Sequence, residues 1–496
     1  MIYETETLFN VEIKLAKIEK VMRTSVSILE ENLFSEAVTS NINVMIDELV
    51  KFNQELEPIL TMHPSEVVIQ NIYKVFDLFE FLISAYNCNN DKEIIEIYGQ
   101  LLYHYKILRQ NFNAYSYQVS GTKKVIVVGV NLLSSNLNSY INPRNRKILA
   151  YISEQNELTG KYLAGIPILE FEDVSYLSYE YLIITDNYKI ESMQDDIKML
   201  NLYEFVSNHY DFELYRAYNS LYGKQKQIDS FITGISYTEV GIDVNELPYQ
   251  TLNLAVSSQD LFYDFQWAEE IVSYHKKGKP IKWAIIGLSY YSLEYDLSRS
   301  KFKNRAYYYY PFFKTISNLE DKENKIQKYN EFEALAAELF VEPYLLRIFD
   351  TLKSMAESKW ETLTNGIMNE EHRNSGRQEA ERDGNKDYPE TVGDNKKILK
   401  KYINMLIENN IKPIVVICPV SRYYHPYFPS RIKRDFDNYM EDMRNEFDID
   451  ILNYFESEWF TDQDFYDSTH LNKAGARKLT KMLKRHLEQS SLDGTK

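Results

Sequence analysis

Twice along this chain, short runs of β-branched and aliphatic residues recur a helix length apart. The first series is GTKKVIVVGVN from residue 121, then KILAYIS, AGIPILEFEDV and YEYLIITD. The second is SFITGIS from residue 230, then TLNLAVSS, IKWAIIGLSY and KPIVVICPVS. Such runs are too short for core helices and read as buried strands. Strands separated by helix-sized crossovers pair in parallel, and a parallel sheet needs helices on both faces. The expected fold class is therefore α/β.

The flanking segments change period. Before residue 121, stretches such as LFNVEIKLAKIEKVM and IIEIYGQLLYHYKILRQNF place apolar residues three and four apart, which predicts amphipathic helices. Three regions follow: a helical N-terminal region over 1–120, a small Rossmann-like α/β domain with a helical linker over 121–225, and a three-layer α/β/α domain with a parallel sheet over 226–496. Helices are expected at QDLFYDFQWAEEIVSYHKKG and NKKILKKYINMLIENN. Residues 369–395 carry almost no large apolar side chains and are expected to be a mobile loop, either disordered or a lid over a site.

Composition narrows the partners. A formal charge of −17 argues against nucleic acid or an anionic membrane, both of which bind through clustered Lys and Arg. The first twenty residues lack the charged and apolar blocks of a signal peptide, and no stretch nears the roughly 18 apolar residues of a membrane helix. The two cysteines, Cys88 and Cys418, form neither a disulfide framework nor a metal pair. A cytoplasmic protein without membrane insertion is expected, with its protein partners left open.

In the first strand series, VGVNLLSSNLNSY supplies Gly129 but not the further glycines that let a backbone approach a pyrophosphate. Glu154 is the one candidate for a ribose contact. No cofactor is expected, and packing is the default role for this region. Its strand, acidic turn and G-x-P-I segment resemble the N-terminal nucleotide-binding-like domain of sugar O- and N-acyltransferases.

The second series carries the chemistry. SFITGIS ends in Gly234 and Ser236, at the strand edge where loops and helix N-termini of an open parallel sheet converge on ligands. Near the C-terminus, YDSTHLNKAG places Asp467 three residues before His470. By itself that pair reads first as a polar turn and helix cap, the commoner role of a D-x-x-H, and second as two members of a triad. No two histidines stand at metal-ligand spacing, so no metal is expected.

The order of these blocks, with DFYDSTHLNKAGARKLT last, resembles the SGNH/GDSL hydrolase superfamily over residues 226 to about 488. The resemblance implies Ser236 as nucleophile, His470 as general base and acid, and Asp467 as the group that orients the imidazole. It also implies an oxyanion hole from the first three blocks. This chain offers Ser258 and Gln259 where a glycine is usual, and Ser289 where an Asn is usual, beside the backbone N–H of Ser236. The stretch ICPVSRYYHPYF resembles a strand end in the D-alanyl-transfer proteins of cell-wall polymer modification. The expectation is a serine-dependent acyl-ester hydrolase or acyltransferase acting on a glycan- or carrier-linked small molecule. The alternative is a catalytically weak scaffold or binding protein of the same fold in a surface-glycan or polymer system.

Overall fold

The computed structural model describes residues 2–31, 36–88, 90–143, 145–188, 196–222, 228–275, 280–317, 319–386 and 389–493. They divide into two compact units, Met1–Phe205 with Lys328–Thr351, and Val206–Gln327 with Leu352–Lys496. The boundary expected at 225/226 lies outside the described residues. Among those residues, no helix is long and apolar enough to cross a membrane.

The first unit opens with four helices, α1 (Ile2–Glu31), α2 (Glu36–Met62), α3 (Glu66–Asn87) and α4 (Asp91–Ser120). Their apolar stripes, among them Leu8, Leu15, Phe52, Leu82, Tyr105 and Phe112, meet in one buried core. The sheet that follows comprises β1 (Lys123–Val128), β2 (Arg146–Ser153), β3 (Tyr162–Leu163), β4 (Ile166–Glu170), β5 (Tyr181–Ile184) and β6 (Lys198–Asn201), in the order β3-β4-β2-β1-β5-β6. It is parallel except for the β3–β4 pair.

Helix α1 also packs on this sheet, through Phe9 and Ala16 against a core that includes Ile126, Val128 and Leu149. A buried ion cluster ties the two layers: Glu12 accepts from Arg109 at 2.6 Å and lies 3.4 Å from Lys124 Nζ. The change of period at 120/121 thus marks a change of secondary structure inside one compact unit. Gly129 has φ +105, and a Cβ there would sit 2.6 Å from Thr185 Oγ1. Packing of the β1 end against the β5 end therefore accounts for that glycine. Glu154 is exposed.

The second unit is built on β7 (Ser230–Gly234), β8 (Thr251–Asn253), β9 (Trp283–Leu288), β10 (Lys412–Ile417) and β11 (Asp450–Asn453). All pairs are parallel and the order is β11-β10-β9-β7-β8. Every residue of β7 and β9 is buried, as strands covered on both faces must be. The chain leaves β7 for β8 on one side and returns to β9 on the other. The C-terminal ends of β7 and β9 therefore flank the topological switch point, where open α/β sheets form their crevice.

The segment 369–395 is not a loop. Residues Glu370–Asp383 form a helix capped by Asn369, whose side chain accepts from His372 N, and Pro389–Glu408 form the next one. The polar sequence misleads because the first of these helices docks through small residues. Gly376 and Ala380 are among its buried points, and a Cβ on Gly376 would sit 2.6 Å from the carbonyl oxygen of Tyr423.

Candidate active site

Two glycines let the chain turn sharply at the end of β7. Gly234 has φ +140, and it pairs with Gly287 of β9 so closely that a Cβ on Gly234 would lie 2.6 Å from the Gly287 carbonyl oxygen. A Cβ on Gly287 would in turn run into Thr238. With no side chain at either position, the short helix Ser236–Gly241 closes directly onto the strand ends. Ser236 is its first residue, so its N–H has no carbonyl of a preceding turn to bond.

The C-terminal block supplies the partner. Phe465 and Leu471 bridge the base of a loop, and Tyr466 N–H donates to the His470 carbonyl oxygen at 2.9 Å. Inside it, Asp467 Oδ1 accepts from Thr469 N and His470 N, each at 2.8 Å, so Asp467 does shape a polar turn. The same carboxylate meets His470 Nδ1 at 2.8 Å through Oδ2. Capping of the final helix falls to Asn472, whose Oδ1 accepts from Ala474 N and Gly475 N at 3.0 Å. The turn and the pairing with His470 are therefore one arrangement.

His470 Nε2 lies 2.8 Å from Ser236 Oγ. With Nδ1–H donating to Asp467, Nε2 is the basic nitrogen and accepts from the serine hydroxyl. Burial works against an ionised Asp467, but His470 and the two backbone N–H groups outweigh it and hold the carboxyl at about 2. Burial likewise pulls His470 down, while Asp467, Glu379 and Glu239 outweigh it and leave the imidazole above its ordinary value. Two rings enclose the histidine: Tyr237 edge-on with centroids 5.2 Å apart, and Trp360 at 5.0 Å.

The four oxyanion candidates separate. Gln259 is fully committed: its amide nitrogen donates to Asp264 Oδ1 at 2.6 Å and to the carbonyl oxygens of Gly234 and Leu254, while its Oε1 accepts from Trp267 and Tyr309. Its backbone N–H donates to the Val256 carbonyl oxygen. Ser289 N–H is likewise taken, by Ser292 Oγ at 2.9 Å, and its hydroxyl lies 3.3 Å from the same oxygen. These two residues brace the strand ends. Ser258 is different. It sits at φ +63, a backbone conformation suited to glycine, and its carbonyl oxygen accepts from Tyr295 OH at 3.0 Å. Neither its N–H nor that of Ser236 is given to another described residue.

Three residues that the sequence reading passed over border the site. Glu239, one turn beyond Ser236, is buried and accepts from Ser257 Oγ at 2.7 Å; burial pushes its carboxyl to about 6. Ser257 also accepts from Trp360 Nε1 at 3.2 Å, which fixes the indole beside His470. Glu379 accepts from Ser468 Oγ. A charged residue inside an otherwise uncharged short helix was the available signal for Glu239. Trp360 and Glu379 lie in or near the stretch read as a loop, and carried none. A cleft of about 350 Å³ adjoins this group, lined by Trp360, Glu239, Arg216, Asn245, Lys473 and Arg477 among others. Among the described residues, no group of three or more His, Cys, Asp or Glu side chains is placed to hold a metal.

A family model described as C2185-like, N-terminal, matches residues 121–204, the six-stranded sheet of the first unit. No curated protein matches the chain. Among solved structures, a Bacteroides fragilis chain designated an acylhydrolase aligns over 57% of this chain and 99% of its own, with 7% identity and a TM-score of 0.30. A GDSL-like lipase from Bacteroides thetaiotaomicron aligns over 56% and 100%, with 9% identity and a TM-score of 0.28. Likenesses this faint leave the geometry of the site to carry the chemistry.

Proposed function

We propose that the second unit is a serine-dependent acyl-ester hydrolase or acyltransferase of the SGNH type. The observation that supports it best is the continuous relay from Ser236 Oγ through His470 to Asp467, each link 2.8 Å, at the switch point of a parallel sheet. Ser236 Oγ attacks the ester carbonyl carbon as His470 Nε2 takes its proton, and Asp467 stabilises the imidazolium. The oxyanion that forms is bound by the backbone N–H groups of Ser236 and Ser258. Collapse breaks the ester C–O bond, and His470 returns the proton to the leaving alkoxide. Water or an acceptor hydroxyl then cleaves the acyl-serine by the same steps in reverse roles.

A cleft borders the site at Glu239 and Trp360, and Ser236, His470 and Asp467 are not among its lining residues. Its lining of Arg216, Glu239, Asn245, Lys473 and Arg477 suits a polar group rather than a long acyl chain, consistent with an acyl group carried on a glycan or a carrier. Lacking the usual Asn donor, the site should be slow, since one oxyanion donor is worth on the order of 10²–10³ in turnover. The test is labelling by a fluorophosphonate together with hydrolysis of p-nitrophenyl acetate. Wild type should react in both assays and Ser236→Ala in neither, with stability changed by less than about 0.5 kcal/mol. Unchanged hydrolysis by Ser236→Ala would move the activity elsewhere, and silence of both proteins toward every ester and the probe would favour a scaffold.

A further inference from the structure

The helix Glu370–Asp383 is fastened to the loop that carries His470 at several points. Its Gly376 lies against Tyr423, and Asp383 accepts from Tyr424 OH at 3.1 Å. Both tyrosines follow Ser421, whose N–H holds the Ser468 carbonyl oxygen at 3.0 Å. The ring of His372 meets Tyr466 edge-on with centroids 5.1 Å apart. Between these anchors stands Glu379. One of its oxygens accepts from Ser375 Oγ at 2.8 Å, and the other from Ser468 Oγ. Ser468 is fully buried and is the residue that follows Asp467 in the sequence Asp-Ser-Thr-His.

We infer that Glu379 is a positioning residue for this site, a second carboxylate from a separate helix that fixes the histidine loop through Ser468 and adds negative charge near His470. The inference rests on the Ser236–His470–Asp467 reading of the preceding subsection. The groups around the imidazole are Asp467 and the Thr469 hydroxyl from its own loop, the Ser236 hydroxyl, and the rings of Tyr237 and Trp360, with the charges of Glu379 from this helix and Glu239 from the Ser236 helix acting on it. Burial disfavours the charged ring; Asp467 opposes it most, followed by Glu379 and then Glu239. Asp467 orients the ring by direct contact at Nδ1, which Thr469 Oγ1 also meets at 3.1 Å. Glu379 works at one remove: it holds the residue between, and its charge favours the imidazolium that forms when Ser236 loses its proton. A neutral side chain there would keep the hydrogen bond and lose the field. Loss of Ser468 Oγ would do the opposite.

The two contributions can be separated on the full chain. Glu379→Gln retains an acceptor for Ser468 and removes the charge, Ser468→Ala breaks the bridge and keeps the charge, and Glu379→Asp restores the charge on a shorter arm. The readout is the His470 pKa, followed by NMR of histidine labelled at Cε1 and assigned by the signal lost in His470→Gln. In Glu379→Gln it should fall by roughly half a unit to one unit, and the acid limb of ester hydrolysis should move by the same amount. Glu379→Asp should restore most of that shift. Ser468→Ala should lower the plateau rate several-fold with a smaller change in pKa. A Glu379→Gln protein that melts like wild type and keeps the wild-type His470 pKa would overturn the inference, leaving Glu379 a packing residue. If the pKa falls as stated while wild type ignores every ester and fluorophosphonate, the positioning role is upheld and the enzymatic reading fails instead.

Discussion

Ser258 offers the sharpest test of the proposal that backbone N–H groups bind a developing oxyanion. A residue with a Cβ at φ +63 carries about 1–2 kcal/mol of steric cost that glycine does not. Replacing it with glycine removes that cost but frees the unfolded chain, which offsets about 0.4–1 kcal/mol. Ser258→Gly should therefore stabilise the second unit by up to about 1.5 kcal/mol. All four tryptophans, Trp267, Trp283, Trp360 and Trp459, lie in that unit, so a denaturant titration followed by tryptophan fluorescence reports it alone. If the donor is the backbone N–H, both Ser258→Gly and Ser258→Ala should keep kcat/KM for p-nitrophenyl acetate within about threefold, because each retains that N–H. If the hydroxyl is the donor, both should lose on the order of 10²–10³. A hundredfold loss in Ser258→Ala would refute the backbone assignment. A Ser258→Gly protein less stable than wild type would refute the account of the strain.

The raised His470 pKa predicts that hydrolysis increases with pH through a midpoint above 6.5, since only the neutral imidazole accepts the serine proton; a midpoint at or below 6.5 would contradict the geometry. For stability the signs run both ways. The raised His470 contributes fully below 6.5 and loses its contribution as pH rises through the folded value. Asp467, held down to about 2 from 3.8, contributes above 3.8 and loses it as pH falls toward 2. His470→Gln should thus cost more stability at about pH 5 than at about pH 9 in parallel denaturant titrations. Gln259→Leu should destabilise the second unit by roughly 2–4 kcal/mol in the same titration, because Trp267 Nε1–H, Tyr309 OH and the buried Asp264 all lose a partner. A stable Gln259→Leu protein that has lost only turnover would return Gln259 to the oxyanion candidates.

What the sequence made legible was local and periodic. β1, β7, β9 and β10 announce themselves because strands buried on both faces must be apolar over most of their length. The weaker strands β6 and β11 do not, since β11 is half-buried and β6 exposes two of its four residues, which leaves no apolar run to see. The pairing of Asp467 with His470 is readable because three residues span it. Nothing local links either residue to Glu239 or Trp360, which reach the histidine only through the fold. Helix Glu370–Asp383 was hidden for a related reason: it docks by backbone approach at Gly376 and by hydrogen bonds to Glu379 and Asp383, so hydrophobic period carries no trace of it.

The block around Ser258 can be compared with the glycine usual at that position. A glycine in such a block supplies two things, a left-handed backbone and an unhindered N–H, and only the first depends on the residue being glycine. Here Ser258 takes the left-handed conformation, with Tyr295 OH bonded to its carbonyl oxygen and Ser257 on its other side tied to Glu239 and Trp360. Contacts on both flanks over-determine the turn, which is the condition under which a strained residue persists. The identity of the residue was thus a poor guide to whether the N–H is presented. Tyr295, in the segment that follows β9, is equally mute in the sequence, because its role is defined by a contact to a residue 37 positions earlier in the chain.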